Sequence, residues 1–106
     1  MVLTTQEQRE RFDHLCGVML SISGIDALDA ARHRPKVVAR AIISSALIDE
    51  GWTTEQVASV FGKSHPTIIH YKHIMKDIRK TPGYKAEREL LASFKNALET
   101  CSEGEN

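Results

Sequence analysis

Ser64, His65, Pro66 and Thr67 stand together directly after Gly62-Lys63. Hydroxyls donate or accept, an imidazole does both, and a proline ring and a threonine methyl offer small apolar surfaces. Displayed at the start of a helix, that set matches what base pairs present along the major groove of a duplex. The unpaired N–H groups of such a helix start also suit a phosphate. His70, Lys72, His73 and Lys76 follow on the same segment, and their chemistry is that of backbone contacts. Ser64, His65, Pro66 and Thr67 are therefore the residues placed to reach base edges, with Lys63, His70, Lys72, His73 and Lys76 available to the sugar-phosphate backbone.

The elements that must hold these residues read as helices throughout. Sustained alternation is missing and β-branched residues are scattered, so no strand is expected. Thr5-x-x-Gln8 has the form of a capping box and opens a first helix, in which Phe12, Leu15, Cys16 and Met19 share one face. Ser23-Gly24 breaks it. The segment Ile25 to Ala31 reads as a short second helix with Ile25 and Leu28 inward. Arg34-Pro35-Lys36 starts the next one, proline falling in the first turn where its missing N–H costs nothing. Val38, Ala41, Ile42, Ser45, Ala46 and Ile48 follow at helical spacing, and Gly51 ends the run. Thr53-x-x-Gln56 is a second capping box. It opens a short helix with Val57, Ala58 and Phe61 inward and Gly62 as a left-handed terminator. Ser64 is a natural N-cap for the following helix, whose stripe is Ile68, Tyr71, Met75 and Ile78. Thr81-Pro82-Gly83 is a turn. A last helix from Tyr84 to Thr100 turns Leu90, Leu91, Phe94 and Leu98 to the core. The expectation is a compact all-α domain of five to six helices over residues 1–101, with a helix-turn-helix at about 53–79 and a flexible tail at 102–106.

Composition narrows the function. The chain has 106 residues, 42% of them hydrophobic and 26% charged, which suits one globular domain able to fold without metal or disulfide staples. No apolar run approaches a membrane span and no leader is evident, so the expected setting is the cytoplasm, with Cys16 and Cys101 as reduced thiols. The net charge of +0 hides a segregation. Residues 30–80 hold nine basic and four acidic side chains, whereas acids exceed bases on either side. A basic middle steers a polyanion even when the total cancels.

The same residues carry a resemblance. Gly62-Lys63-Ser64-His65-Pro66-Thr67-Ile68-Ile69-His70-Tyr71 resembles the signature of the duplex-DNA-binding domain of the bacterial replication initiator DnaA, a member of the Trp-repressor-like helix-turn-helix group. That signature reads Gly, a basic residue, Asp-His-[Thr/Ser]-Thr-Val-[Leu/Ile]-His, then Ala or Tyr. Arg34-Pro35-Lys36 stands about where the family places Arg-Pro-Arg, and the likeness covers about residues 12–100. It implies base reading at Ser64, His65 and Pro66, backbone contacts at Thr67 and His70, and phosphate binding at Lys36, with Arg34 beside it. Ser64 and Pro66 replace the family's Asp and Thr, so the target sequence is expected to differ. The family's basic minor-groove loop is here Asp26-Ala27-Leu28-Asp29-Ala30-Ala31-Arg32, which is mostly neutral or acidic.

The functional expectation is sequence-specific double-stranded DNA binding by a nucleoid-associated regulator or replication accessory. The alternative is a helical protein-interaction module that keeps the fold without DNA binding. No nucleophile, acid and base converge in the pattern, so no enzyme is expected. Gly62-Lys63-Ser64 mimics the tail of a P-loop, but Val57 stands where the motif needs glycine, so neither a nucleotide nor another cofactor is expected. His70, His73 and Asp77 lack the further ligands of a metal site. Trp52 reads as a cover on the core. With few phosphate anchors on one copy, self-association through the first and last helices is expected to raise affinity.

Overall fold

The computed structural model describes residues 5–28 and 34–104, with side chains as far as Glu99. Among the described residues the chain is all helix: α1 Thr5–Ser23, α2 Arg34–Asp49, α3 Thr54–Phe61, α4 His65–Lys80 and α5 Lys85–Gly104. A radius of gyration of 13.2 Å is what a compact chain of this length adopts.

Helix α2 is the centre of the fold. It packs on α1, α3 and most extensively on α4, while α5 covers α1 and α4. A helix with neighbours on several sides cannot keep a single apolar stripe. Ile43, Ser44 and Leu47 are therefore buried beside the expected Val38, Ala41 and Ile42, whereas Ser45, Ala46 and Ile48 are only half-buried. Helix α1 buries Phe12, Leu15, Cys16 and Met19 as its spacing predicts, with Val18 added. Thr5 is already the first helical residue, and the position preceding it lies outside the described residues. Among the described side chains of α5, Phe94 is the one fully buried, with Leu90, Leu91 and Leu98 half-buried around it. Helix α5 continues through Gly104, into residues the sequence assigns to a tail.

The short helix expected over Ile25 to Ala31 does not form in its described part. Asp26 Oδ1 accepts the Leu28 N–H at 2.9 Å, a side-chain turn that competes with helical bonding. Residues 27–28 form a turn, and residues 29–31 lie outside the described ones. Ala27 goes inward there, while Leu28 is 54% exposed and Ile25 half-buried. The Ala27 carbonyl accepts from Arg40 Nε at 3.0 Å, and Arg40 itself is buried. Arg40 thus ties the α1–α2 connection to the core and is withdrawn from the basic surface that its place in the sequence suggested.

Two arginines fix the ends of other helices. Arg11 makes a bidentate pair with Glu50 at 2.9 and 2.8 Å, holding α1 to the end of α2. Arg88 of α5 donates to the carbonyls of Ile78, Thr81 and Pro82 at 3.2, 2.6 and 3.1 Å. Those are the last carbonyls of α4 and the turn beyond it, which have no helical partner of their own. One planar guanidinium satisfies three acceptors that a lysine ammonium could not reach together.

Burial pushes the Cys16 thiol from 9.0 up to about 11, with smaller contributions from the Asp13 and Asp26 carboxylates. Cys16 is a small core hydrophobe with almost no thiolate at neutral pH. In a Cys101→Ser background, iodoacetamide should modify it only as fast as the chain unfolds. Between pH 9 and pH 11 the folded state keeps a proton that the unfolded chain loses, so stability should fall as pH rises through that window. Rapid alkylation of the folded chain at pH 7 would show the thiol to be accessible. Arg88→Ala should cost ~1–3 kcal/mol in denaturant unfolding and speed amide exchange at the end of α4. Arg88→Lys should recover little of that loss.

Candidate nucleic-acid interface

The site is built from α3, the turn at 62–64 and the start of α4. Helix α3 begins with a complete capping box. Thr53 Oγ1 accepts the Gln56 N–H at 3.1 Å, and Gln56 Oε1 accepts the Thr53 N–H at 2.8 Å. Trp52, just before the cap, is buried in the core, so its ring is not offered to a ligand. Two contacts seat α3. Arg9 Nη1 donates to the Val60 carbonyl at 3.2 Å, and Phe61 meets Phe12 and Tyr71 edge-to-face with centroids 4.8 and 5.9 Å apart. That aromatic chain joins α1, α3 and α4, each pair contributing ~0.5–1.5 kcal/mol beyond area burial.

Helix α3 ends at Gly62, whose φ of 65° and ψ of 32° are left-handed. The Lys63 N–H returns to the Ala58 carbonyl at 3.0 Å, closing the helix. Ser64 then takes an extended φ of −81° and ψ of 160° as N-cap of α4. Its hydroxyl does not bond the first-turn backbone, as an ordinary cap would. It pairs instead with Thr67 Oγ1 at 3.1 Å. Ser64, His65 and Pro66 are exposed together and Thr67 is half-buried behind them.

The sequence-predicted residues divide into groups. His65, Lys72 and Lys76 are exposed and lie seven and four residues apart, so they form one stripe along α4. His70 is exposed too, but two residues from Lys72 on a helix means roughly 200° of rotation, so it borders the opposite edge. His73 lies between. Ile68, Tyr71, Ile74, Met75 and Ile78 form the buried face. Lys63 is exposed at the turn and Lys36 half-buried in the first turn of α2. The Arg34 guanidinium sits over the Tyr84 ring at 5.4 Å, which puts the start of α2 beside the end of α4. Arg34 is thus separated from Ser64 by the ~24 Å length of a 16-residue helix. The expected contacts make a strip along α4 rather than a cluster. Among the described residues no three His, Cys, Asp or Glu side chains converge as a metal site would require.

The charge at helix starts is uneven. α1, α3 and α5 carry Glu7, Glu55 and Glu87 in their first turns, the placement that complements the helix dipole. α2 and α4 carry no acid there, and the basic Arg34 and Lys36 occupy the first turn of α2. A cation at that end costs about 0.3–1 kcal/mol when no anion is near. Arg79 and Lys80 extend the exposed positive charge at the far end of α4, beyond the residues singled out from sequence. Their signal lay in the same helical run, read there only as part of the net charge. No protein-family model, curated protein or solved structure matches this chain.

Gly62 sets the direction in which α4 leaves α3, and a Cβ there would meet no atom within 4 Å. The cost of Gly62→Ala is therefore conformational, and it should destabilise the fold by ~1–2 kcal/mol. Gly62→Asn should cost less, since asparagine tolerates left-handed backbone. Equal stability of the alanine variant and the wild type in urea would show that the turn relaxes to another geometry.

Proposed function

We propose that this chain binds double-stranded DNA sequence-specifically, with α3 and α4 as a helix-turn-helix and the start of α4 in the major groove. The observation that supports this reading most is the exposed stripe His65, Lys72 and Lys76, beginning at an N-terminus without a carboxylate. The only acid on α4 is Asp77, off that stripe. Ser64, His65 and Pro66 read base edges. Lys63, Lys72 and Lys76 contact phosphates, while Lys36 and Arg34 reach the backbone farther along the duplex. Thr67 orients Ser64 through their shared hydroxyl bond, and His70 serves phosphate from the other edge. The resemblance to the DnaA DNA-binding domain supports the same docking. Ser64 and Pro66 give this chain a target of its own. The role is that of a nucleoid-associated regulator or replication accessory acting without catalysis, nucleotide or cofactor.

A second reading is a protein-interaction module. It is favoured by Leu20 and Leu28, 48% and 54% exposed, which with Ile22 leave apolar surface at the end of α1 and the turn after it. Binding to random duplex at low salt separates the two readings, since that module leaves duplex DNA unbound.

The test is fluorescence anisotropy on a duplex selected from a random pool, with random duplex as the reference. His65→Ala should lose ~1–3 kcal/mol on the selected site and far less on random DNA. Lys72→Ala should weaken both alike and flatten the slope of log affinity against log salt by about 0.9. Equal losses on both duplexes for His65→Ala would remove it from base reading. An unchanged salt slope for Lys72→Ala would place that lysine away from phosphate.

A further inference from the structure

Beside the contact of α2 with α4 lies a cleft of about 170 Å³. Liquid water occupies about 30 Å³ per molecule, so the cleft has room for several waters or one small organic body. Two helical faces build it, Ala41, Ser44 and Ile48 from α2 and Lys72, Met75 and Arg79 from α4. Ala41, Ile48 and Met75 give it an apolar lining. Lys72, Arg79 and Asp49 stand exposed at its rim, two positive charges against one negative. Arg79 Nη2 donates to Ser45 Oγ at 3.3 Å, which holds the guanidinium toward the cleft.

The second observation is Ser44. It is 1% exposed, it lines this cleft, and among the described residues its Oγ is the buried side-chain polar atom without a hydrogen-bond partner. A buried hydroxyl left unsatisfied costs ~1–3 kcal/mol. A serine inside a helix can return its hydroxyl to the preceding turn, and here it does not. Alanine would fill that position at no such cost.

We propose that this cleft binds a small monocarboxylate with an apolar body. The carboxylate oxygens accept from Arg79, Lys72 and the Ser44 hydroxyl, and the body rests on Ala41, Ile48 and Met75. The single surplus positive charge at the rim matches a monoanion, and Asp49 disfavours anything more highly charged. Lys72 also belongs to the stripe assigned to DNA, so occupancy withdraws one positive charge from that face. The site itself is independent of the DNA-binding reading, and its test uses no DNA, so either can fail without the other.

The experiment is a titration of the full chain with benzoate at constant ionic strength, followed by amide chemical shifts, with benzamide and acetate as probes lacking the charge or the body. Benzoate should give saturating shifts concentrated at residues 44–49 and 72–79, with benzamide and acetate at least about tenfold weaker. Arg79→Gln should weaken benzoate by about tenfold. Ser44→Ala should unfold at the same or a higher temperature and still bind benzoate more weakly. Shifts that do not saturate, or that spread over all surface lysines and arginines, would overturn the proposal, as would benzamide binding as tightly as benzoate. A Ser44→Ala chain with unchanged benzoate affinity would overturn it as well.

Discussion

The left-handed backbone of Gly62 is the constraint on which the rest of the candidate interface depends. It lets α3 close on the Ala58 carbonyl and lets α4 begin three residues later, with Ser64 already extended as its cap. A longer connection would leave the direction of α4 to side-chain packing alone. Here the capping box at Thr53 and Gln56 fixes one end of α3 and the glycine fixes the other. The edge-to-face chain through Phe12, Phe61 and Tyr71 anchors the pair to the core. The buried face of α4 is thereby spent on α2 and α3, and His65, Lys72 and Lys76 are aligned on its exposed side, with Lys72 at the border of the α2 contact.

The placement of charge follows a consistent division. Cations that serve the fold are held by carbonyls or carboxylates: Arg40 on Ala27, Arg88 on the end of α4, Arg11 on Glu50. Lys63, Lys72 and Lys76 are exposed on or next to α4. Arg34 and Lys36 occupy a helix start where the dipole opposes them. A phosphate there would be attracted both by these side chains and by the N-terminus of the helix, which is the physical content of the DNA-binding proposal. The Ser44 cleft has the same logic on a smaller scale, with an unsatisfied buried hydroxyl in place of an opposed dipole.

Most of the helical plan was legible in the sequence, because capping and periodicity are local. Thr53-x-x-Gln56, Gly62 and the spacing of Phe12 to Met19 each specify their structure with residues close along the chain. The misread parts depend on distant partners or on a local side-chain turn that helical spacing does not reveal. The segment from Ile25 has helical spacing, yet in its described part, residues 25–28, Asp26 captures the Leu28 N–H and Arg40 draws Ala27 inward, a contact across 13 residues. α2 shows no clean stripe because several helices bury it. The triple carbonyl contact of Arg88 has no sequence signature at all. In the site, exposure of Ser64, His65 and Pro66 follows from their place at a helix start. The bond between Ser64 and Thr67, and the separation of Lys72 from His70, appear only once the helix phase is fixed.

The most direct test of the DNA-binding proposal is to map a short random-sequence duplex onto the chain by amide chemical shifts at low salt. The expected result is saturable binding, with the largest changes running from Lys63 through Lys76 and a second group at Arg34 and Lys36. No binding at low salt, or changes centred on α1 and α5 instead, would contradict it.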